Sequence, residues 1–378
     1  MNSELHIVSF DVPYPPNYGG VVDVYFKIKA LHQLDVKIHL HCFEYGRGEQ
    51  KELNALCQSV QYYRRDENKL NFLKKEPYVV ASRSSRELLE VLKFDSHPIL
   101  IEGLHNCWLI EELKDDDRFI MVRTHNVEHD YYEGLAKVEK NIAKRQYFKW
   151  EASKLAKFEN VLKHASQLLT ISPNDQAYFN GKYSNAKLLP AFHSSESVSI
   201  KSGKGNFALY HGNMAVNENI EGATFLIEQV FKETDYNLII AGSNIPNELI
   251  QLTKGMRNVE LRSNVSLQKL DSLLQSAQVN VLPTFQPTGI KLKLLSALYK
   301  GRFCIANNEM ISNTGLEETC ILANSPAEWK IKLAEVFDKT FENQDILDRT
   351  KLLENLFDNL ENAKLISELM TQHSLTEK

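Results

Sequence analysis

The chain has 378 residues, with 44 Lys and Arg against 49 Asp and Glu, so its net charge is −5; it is 43% hydrophobic and 25% charged. That length suggests two domains or three small ones, and the composition is that of a globular protein, which disfavours disorder and collagen-like repeats. The charge balance argues against a global nucleic-acid binder, and no run approaches the ~18 apolar residues of a membrane span. The five cysteines (Cys42, Cys57, Cys107, Cys304, Cys320) are scattered with no C-x-x-C pair, which reads as reduced structural thiols. The first residues carry no basic region followed by an apolar run, so the expectation is a cytoplasmic protein, soluble or peripheral at the inner face of the plasma membrane.

In chain order, short apolar runs at 5–10, 36–43, 99–102, 119–123 and 168–171 read as buried parallel strands, with helical patterns at 21–33 and 85–92 between them. The longest helical candidate is 138–164, where Ile142, Phe148, Leu155, Phe158 and Leu162 make a stripe. The polar stretch 193–206 reads as a linker. Strands then restart at 207–211, 237–241, 259–262, 279–282 and 303–306, with helices at 218–231, 267–276 and 289–299, and the tail 344–370 is one more amphipathic helical stretch. The pattern predicts an α/β protein with two Rossmann-like domains facing a cleft, at 1–195 and 205–343, and a tail, 344–378, that packs on one or both.

Open α/β sheets bind ligands beyond the carboxyl ends of their strands, so the residues just after each strand are the ones to read. DVPYPPNYGG ends in Gly19 and Gly20 at a helix start, where backbone can approach an anion and free N–H groups face it; a plain surface turn is the alternative. In PTFQPTGIKLK, Thr288, Gly289 and Ile290 open a helix with Lys291 and Lys293 one turn inside, a competent diphosphate cradle or an ordinary solvated helix start. IEGLH and RTHNVEH place His105 and His125 after consecutive strands, where a histidine can act as a base or hydrogen-bond a sugar. RTHNVEH also contains a literal H-x-x-E-H, but a zinc site would need His125 and His129 on one helix face, and the run begins directly after a strand. No G-x-G-x-x-G supports a nicotinamide site, and no metal ligand set is assigned. Arg64, Arg65, Lys69, Lys74, Lys75, Arg83 and Arg86 cluster with Tyr62, Tyr63 and Phe72; they can face an anionic lipid or membrane, and a solvated loop is the simpler reading.

These residues resemble the GT-B glycosyltransferases, and within them family 4, also called group 1. LYHGNM, NLIIAGS, NVELRSNVSLQKLDSLLQSAQVNVLP and TGIKLKLLSALYKGRFCIAN look like the family's C-terminal domain; PPNYGG and RTHNVEHDYY resemble its N-terminal half. The resemblance implies a GT-B fold with a tail helix crossing back to the N-terminal domain. It implies a retaining glycosyltransferase that moves a hexose-type sugar from a UDP or GDP sugar to a glycan or lipid-linked acceptor in cell-surface polysaccharide synthesis. No cofactor or metal and no nucleic acid would be involved. Gly212, Asn213, Thr288, Gly289, Ile290, Lys291 and Lys293 would hold the donor, Gly19 and Gly20 would close over its phosphates, and His105 would lie near the transferred sugar. Two glutamates usual in the family's donor helix region correspond to Thr288 and Ser296 here, neither a carboxylate. That departure keeps a non-catalytic sugar-nucleotide binder open, and a GT-B sugar-nucleotide epimerase is the enzymatic alternative.

Overall fold

The computed structural model describes residues 3–285, 292–312 and 314–376. The chain divides into two units, Met1–His193 with Phe357–Lys378, and Ser194–Leu356.

The first unit holds a seven-stranded parallel sheet: β1 (Glu4–Ser9), β2 (Lys37–Glu44), β3 (Ser59–Arg64), β4 (Ile99–Glu102), β5 (Ile120–Thr124), β6 (Gln167–Thr170) and β7 (Ala186–Leu188). Its order is β3-β2-β1-β4-β5-β6-β7. The second unit holds six strands: β8 (Phe207–Asn213), β9 (Asn237–Ser243), β10 (Val259–Ser263), β11 (Val279–Leu282), β12 (Phe303–Ala306) and β13 (Ile321–Leu322), in the order β10-β9-β8-β11-β12-β13. Both orders reverse beside the first strand of the unit, at β1/β4 and at β8/β11, and such a reversal opens a crevice at the strand ends. Central strands are apolar on both faces because helices cover both; β4 and β11 are buried at every residue.

The predicted helix 138–164 is instead the end of one helix, Glu128–Val138, and a second, Ile142–Phe158. Glu139 is extended, and the Asn141 side chain accepts from the Lys144 N–H at 3.0 Å, capping the second helix. The tail is likewise two helices, Asn343–Phe357 and Asn359–Thr376, with the Asp358 carboxylate accepting from the N–H groups of Leu360 and Glu361. The first packs in the second unit, where Arg349 is buried and donates to the carbonyls of Gly301 and Arg302. The second lies against the first helix of the chain, Gly19–Gln33, and adds Ala363, Ile366, Leu369 and Met370 to that unit's core. The helix predicted at 218–231 keeps α-geometry over Asn217–Phe225 and then widens into a π-turn at Leu226–Val230.

One face of β1 and β2 carries a histidine pair, His6 Nδ1 lying 2.8 Å from His41 Nε2. One ring must donate and the other accept, so the two rings cannot both be protonated. Burial pushes His6 down to about 4, although Asp95 pulls it upward, and burial with His6 and His39 pushes His41 to about 3. The groups facing the pair are Asp95, Arg118, Glu4, His39, His97 and Tyr63, with Glu87 and Glu90 across the adjoining pocket. Depressed folded-state values mean that the unfolded chain binds more protons below the ordinary value of 6.5, so stability falls as pH falls. By pH 5 each histidine is expected to remove about 2 kcal/mol. The His6 and His41 ring signals followed by NMR from pH 7 to 5 should stay those of neutral imidazoles; protonation of both rings near the ordinary value of 6.5 would contradict the neutral pair.

Candidate functional site

In the second unit, β8 runs through Tyr210 and His211 to Gly212 and Asn213 at the switch point. Gly212 faces the side chain of Asn219, which an added Cβ would approach to 2.9 Å, and a Cβ on Gly242 of β9 would sit 2.0 Å from the Gly212 carbonyl oxygen. The close approach of these strand ends therefore requires glycine. Asn219, in the first turns of the helix Asn217–Phe225, donates from Nδ2 to the Asn213 carbonyl at 2.8 Å. Its Oδ1 accepts from Lys293 Nζ at 3.0 Å. Lys293 stands in the first turn of the helix Leu292–Lys300, with Nζ 3.4 Å from the Tyr210 hydroxyl and 5.1 Å from the Tyr210 ring centroid. An ammonium is thus seated at the carboxyl end of β8 by an amide and a phenol. His211 beside it is buried with no partner on Nε2, and burial together with Lys293 pushes it to about 3, so it is neutral. At the end of β11, Thr284 donates to Glu218, and Asn307 after β12 brackets Thr284 by accepting from its N–H at 3.0 Å and donating to its carbonyl at 2.6 Å. Thr288, Gly289, Ile290 and Lys291 lie outside the described residues. Ser296 is half-buried on the helix of Lys293.

In the first unit, Gly19 and Gly20 begin the helix Gly19–Gln33, whose first turn has no acidic residue and whose N-cap, Tyr18, gives the helix no side-chain capping bond, its hydroxyl donating to Asp11 instead. A Cβ on Gly20 would meet the Phe10 ring at 2.6 Å, whereas Gly19 has open space. Phe10 also packs against His105 and His125, with ring centroids 5.4 and 5.5 Å away. His105 lies in the turn after β4, just past Gly103, whose φ of +75° favours glycine. Its Nδ1 is buried without a hydrogen-bond partner, and burial together with the charge of Arg83 holds it well below the ordinary histidine value. His125 follows β5, and its Nε2 is 3.1 Å from Glu102 at the end of β4.

Glu102 belongs to a buried network that sequence reading did not assemble. Lys27 bridges Glu102 at 2.7 Å and Asp23 at 2.9 Å, and Asp23 also pairs with Arg123 at 2.9 Å. The i, i+4 pair Asp23–Lys27 one turn after the glycines was the available signal. Asp23, Glu102 and His125 converge closely enough for a cation, but the Lys27 ammonium and the Arg123 guanidinium already neutralise the carboxylates. The H-x-x-E-H residues separate: His125 precedes the helix Glu128–Val138 and turns to Glu102, while His129 lies 3.3 Å from Glu159. Glu128 is buried, and burial pushes its carboxyl up to about 7.

Two Rossmann-like units with parallel sheets of seven and six strands define a protein of the GT-B class. Residues 205–339, the strand-and-helix core of the second unit, match the family described as glycosyl transferases group 1. A Klebsiella pneumoniae protein described as an uncharacterized 44.6 kDa protein in the cps region is 26% identical over 349 residues, covering 85% of this chain and 88% of that one. The structure of Alr3699/HepE from Anabaena in complex with UDP and glucose is similar at a TM-score of 0.67 and 11% identity, over 97% of this chain and 99% of that one. A glycosyltransferase from Rickettsia africae matches at 0.65 and 13% identity over 99% of both chains. The catalytic domain of starch synthase IV from Arabidopsis thaliana, bound to ADP and acarbose, matches at 0.61 and 11% identity over 98% and 99%. Among the described residues no helix is long and apolar enough to cross a membrane.

Proposed function

We propose that the chain transfers a hexose-type sugar from a UDP or GDP sugar to a glycan or lipid-linked acceptor in cell-surface polysaccharide synthesis. The observation that carries this reading is the Lys293 ammonium, held by Asn219 and Tyr210 beside Gly212 and Asn213 at the switch point of the second unit. Glycosyl transfer from a nucleotide-diphosphate sugar builds negative charge on the departing diphosphate. A positioned cation there lowers the barrier by meeting that charge as it develops. Thr288, Gly289, Ile290 and Lys291 are assigned to the same diphosphate from sequence. Protein cations and backbone N–H groups do this work, so the reading is metal-independent, and retention of configuration is expected of the family. The cps region of the Klebsiella relative supports the polysaccharide assignment.

In the first unit the uncapped helix start at Gly19 and Gly20 is assigned to phosphate. His105, kept neutral, is assigned to a hydroxyl of the transferred sugar, and His125, steadied by Glu102, to the acceptor hydroxyl as base or hydrogen-bond partner. Ser296, in place of a carboxylate, favours a second reading, a sugar-nucleotide binder without turnover.

A panel of sugar nucleotides tested for thermal stabilisation comes first. The right donor at a hundred times its Kd should stabilise the protein by about 2.7 kcal/mol. No stabilisation by any UDP or GDP sugar would overturn the reading. A stabilising donor with no glycosylated product across an acceptor panel would favour the binder, and an isomerised donor formed without acceptor would favour an epimerase.

A further inference from the structure

The described residues of the first unit carry a braced hook with its apolar tips turned outward. Residues 69–73 (Lys69–Leu73) form a single 3-10 turn. Asn71 is buried and donates to the Asp66 carboxylate at 2.9 Å. The Phe72 ring stacks on Tyr78 at 4.1 Å and meets Tyr147 of the helix Ile142–Phe158 edge-on at 5.3 Å. Lys154 of that helix is buried and donates to the carbonyls of Phe72 at 2.8 Å and Lys74 at 2.7 Å. A hook held this way is not a loose solvated loop. Yet Leu70 and Leu73 are 66% and 78% exposed, and Ile142 at the start of the bracing helix is 74% exposed. Trp150, whose ring lies 3.8 Å from Lys154 Nζ, is half in solvent beside them.

Charge surrounds these tips. Stretches 64–76 and 137–150 hold ten basic and four acidic residues in a chain whose net charge is −5. Lys69, Lys74, Lys75, Arg145 and Lys149 are exposed. Arg83, part of the basic cluster read from sequence, does not belong here: it is buried and donates to the Phe10 carbonyl at 2.9 Å. Exposed aliphatic tips ringed by lysines fit the boundary of an anionic bilayer, where the apolar groups enter the acyl region and the cations meet headgroup phosphates.

We propose that the hook 69–75 and the outer face of the helix Ile142–Phe158 dock the protein on an anionic lipid surface. This deepens the reading of a lipid-linked acceptor. Membrane binding needs no turnover, however, so its failure and the failure of glycosyl transfer are separate results.

The test is flotation of the full chain with phosphatidylglycerol-rich vesicles and with pure phosphatidylcholine vesicles at low and high salt. Binding is expected to the anionic vesicles and to weaken with salt. Leu70→Ser with Leu73→Ser should cut partitioning roughly tenfold or more. Lys69→Gln, Lys74→Gln and Lys75→Gln together should cut it on the order of a hundredfold. All these side chains are exposed, and an unchanged circular dichroism spectrum and unfolding midpoint show that the variants fold. No flotation of the wild-type chain with anionic vesicles overturns the proposal. So does binding that survives the leucine changes and is matched by heparin, which would mark a general polyanion patch.

Discussion

Lys293→Ala is expected to weaken binding of UDP or GDP by roughly 10- to 100-fold in calorimetry, the value of one charge-assisted hydrogen bond of about 1.5–3 kcal/mol. The nucleoside without phosphates should bind equally to both forms, because the ammonium is proposed to meet the diphosphate and nothing else. Lys293→Arg should recover only part of the loss: the niche between Asn219 Oδ1 at 3.0 Å and the Tyr210 hydroxyl at 3.4 Å is sized for a compact ammonium, and a planar fork presents its donors differently. The side chain is half-buried at a helix start, so the variant should fold. His211 supplies an internal control. Burial, with Lys293, holds it at about 3, so removing the lysine should raise its titration while burial still keeps it low. Equal UDP affinity in the two proteins would remove Lys293 from the diphosphate and with it the observation on which the proposed function stands.

Sequence patterns recover β1, β2, β4, β5 and β6 in the first unit and β8 to β12 in the second; most are largely buried, which writes a near-continuous apolar run, while β10 at a sheet edge shows only Val259 and Leu261 alternating with charged residues. β3 lies at the sheet edge, half-buried from Ser59 to Tyr62, and has neither an apolar run nor an alternation, and β7 and β13 are three and two residues long, too short to register as periods. The two helix breaks had signals in Asn141 and Asp358, both capping residues set inside apolar stripes that outweighed them. Site residues divide the same way. Gly20, Gly212 and Lys293 are legible as candidates because each falls at the carboxyl end of a strand or at the start of the helix that follows it. Their partners are not: Lys293 and Asn219 are 74 residues apart, Lys27 and Glu102 75, and Asp23 and Arg123 100. Pairing across such separations is set by the sheet order, which no local period encodes.

The last of those pairs carries the largest expected effect on stability. Asp23→Ala should destabilise the first unit by about 3–5 kcal/mol, a large part of the 5–15 kcal/mol typical of a domain. Asp23 is 2% exposed and its carboxylate accepts four bonds, two from Arg123 at 2.9 and 3.2 Å, one from Lys27 at 2.9 Å and one from the Phe192 N–H at 2.9 Å. Burial raises its pKa, but Arg123 and Lys27 outweigh that and hold it well below the usual carboxylate range, so it is ionised when folded. Truncation leaves the Arg123 guanidinium, itself fully buried, with backbone carbonyls of Thr170, Leu189 and Pro190 and no counter-charge. Lys27→Met should cost less, because Glu102 then keeps His125 and can take a proton, whereas a guanidinium cannot lose one. Two units that unfold separately would blur a single global midpoint, so the measurement is hydrogen exchange. Asp23→Ala should speed exchange across β1, β4 and β5 and leave β8, β9 and β11 as in the wild type. Loss of protection in both units alike would show that the network does not act within the first unit, and unchanged protection would show that it does not stabilise the fold. Because Lys27 joins Asp23 to Glu102 and Glu102 holds His125, the same variant should also loosen His125, whose ring signals would shift in the NMR spectrum.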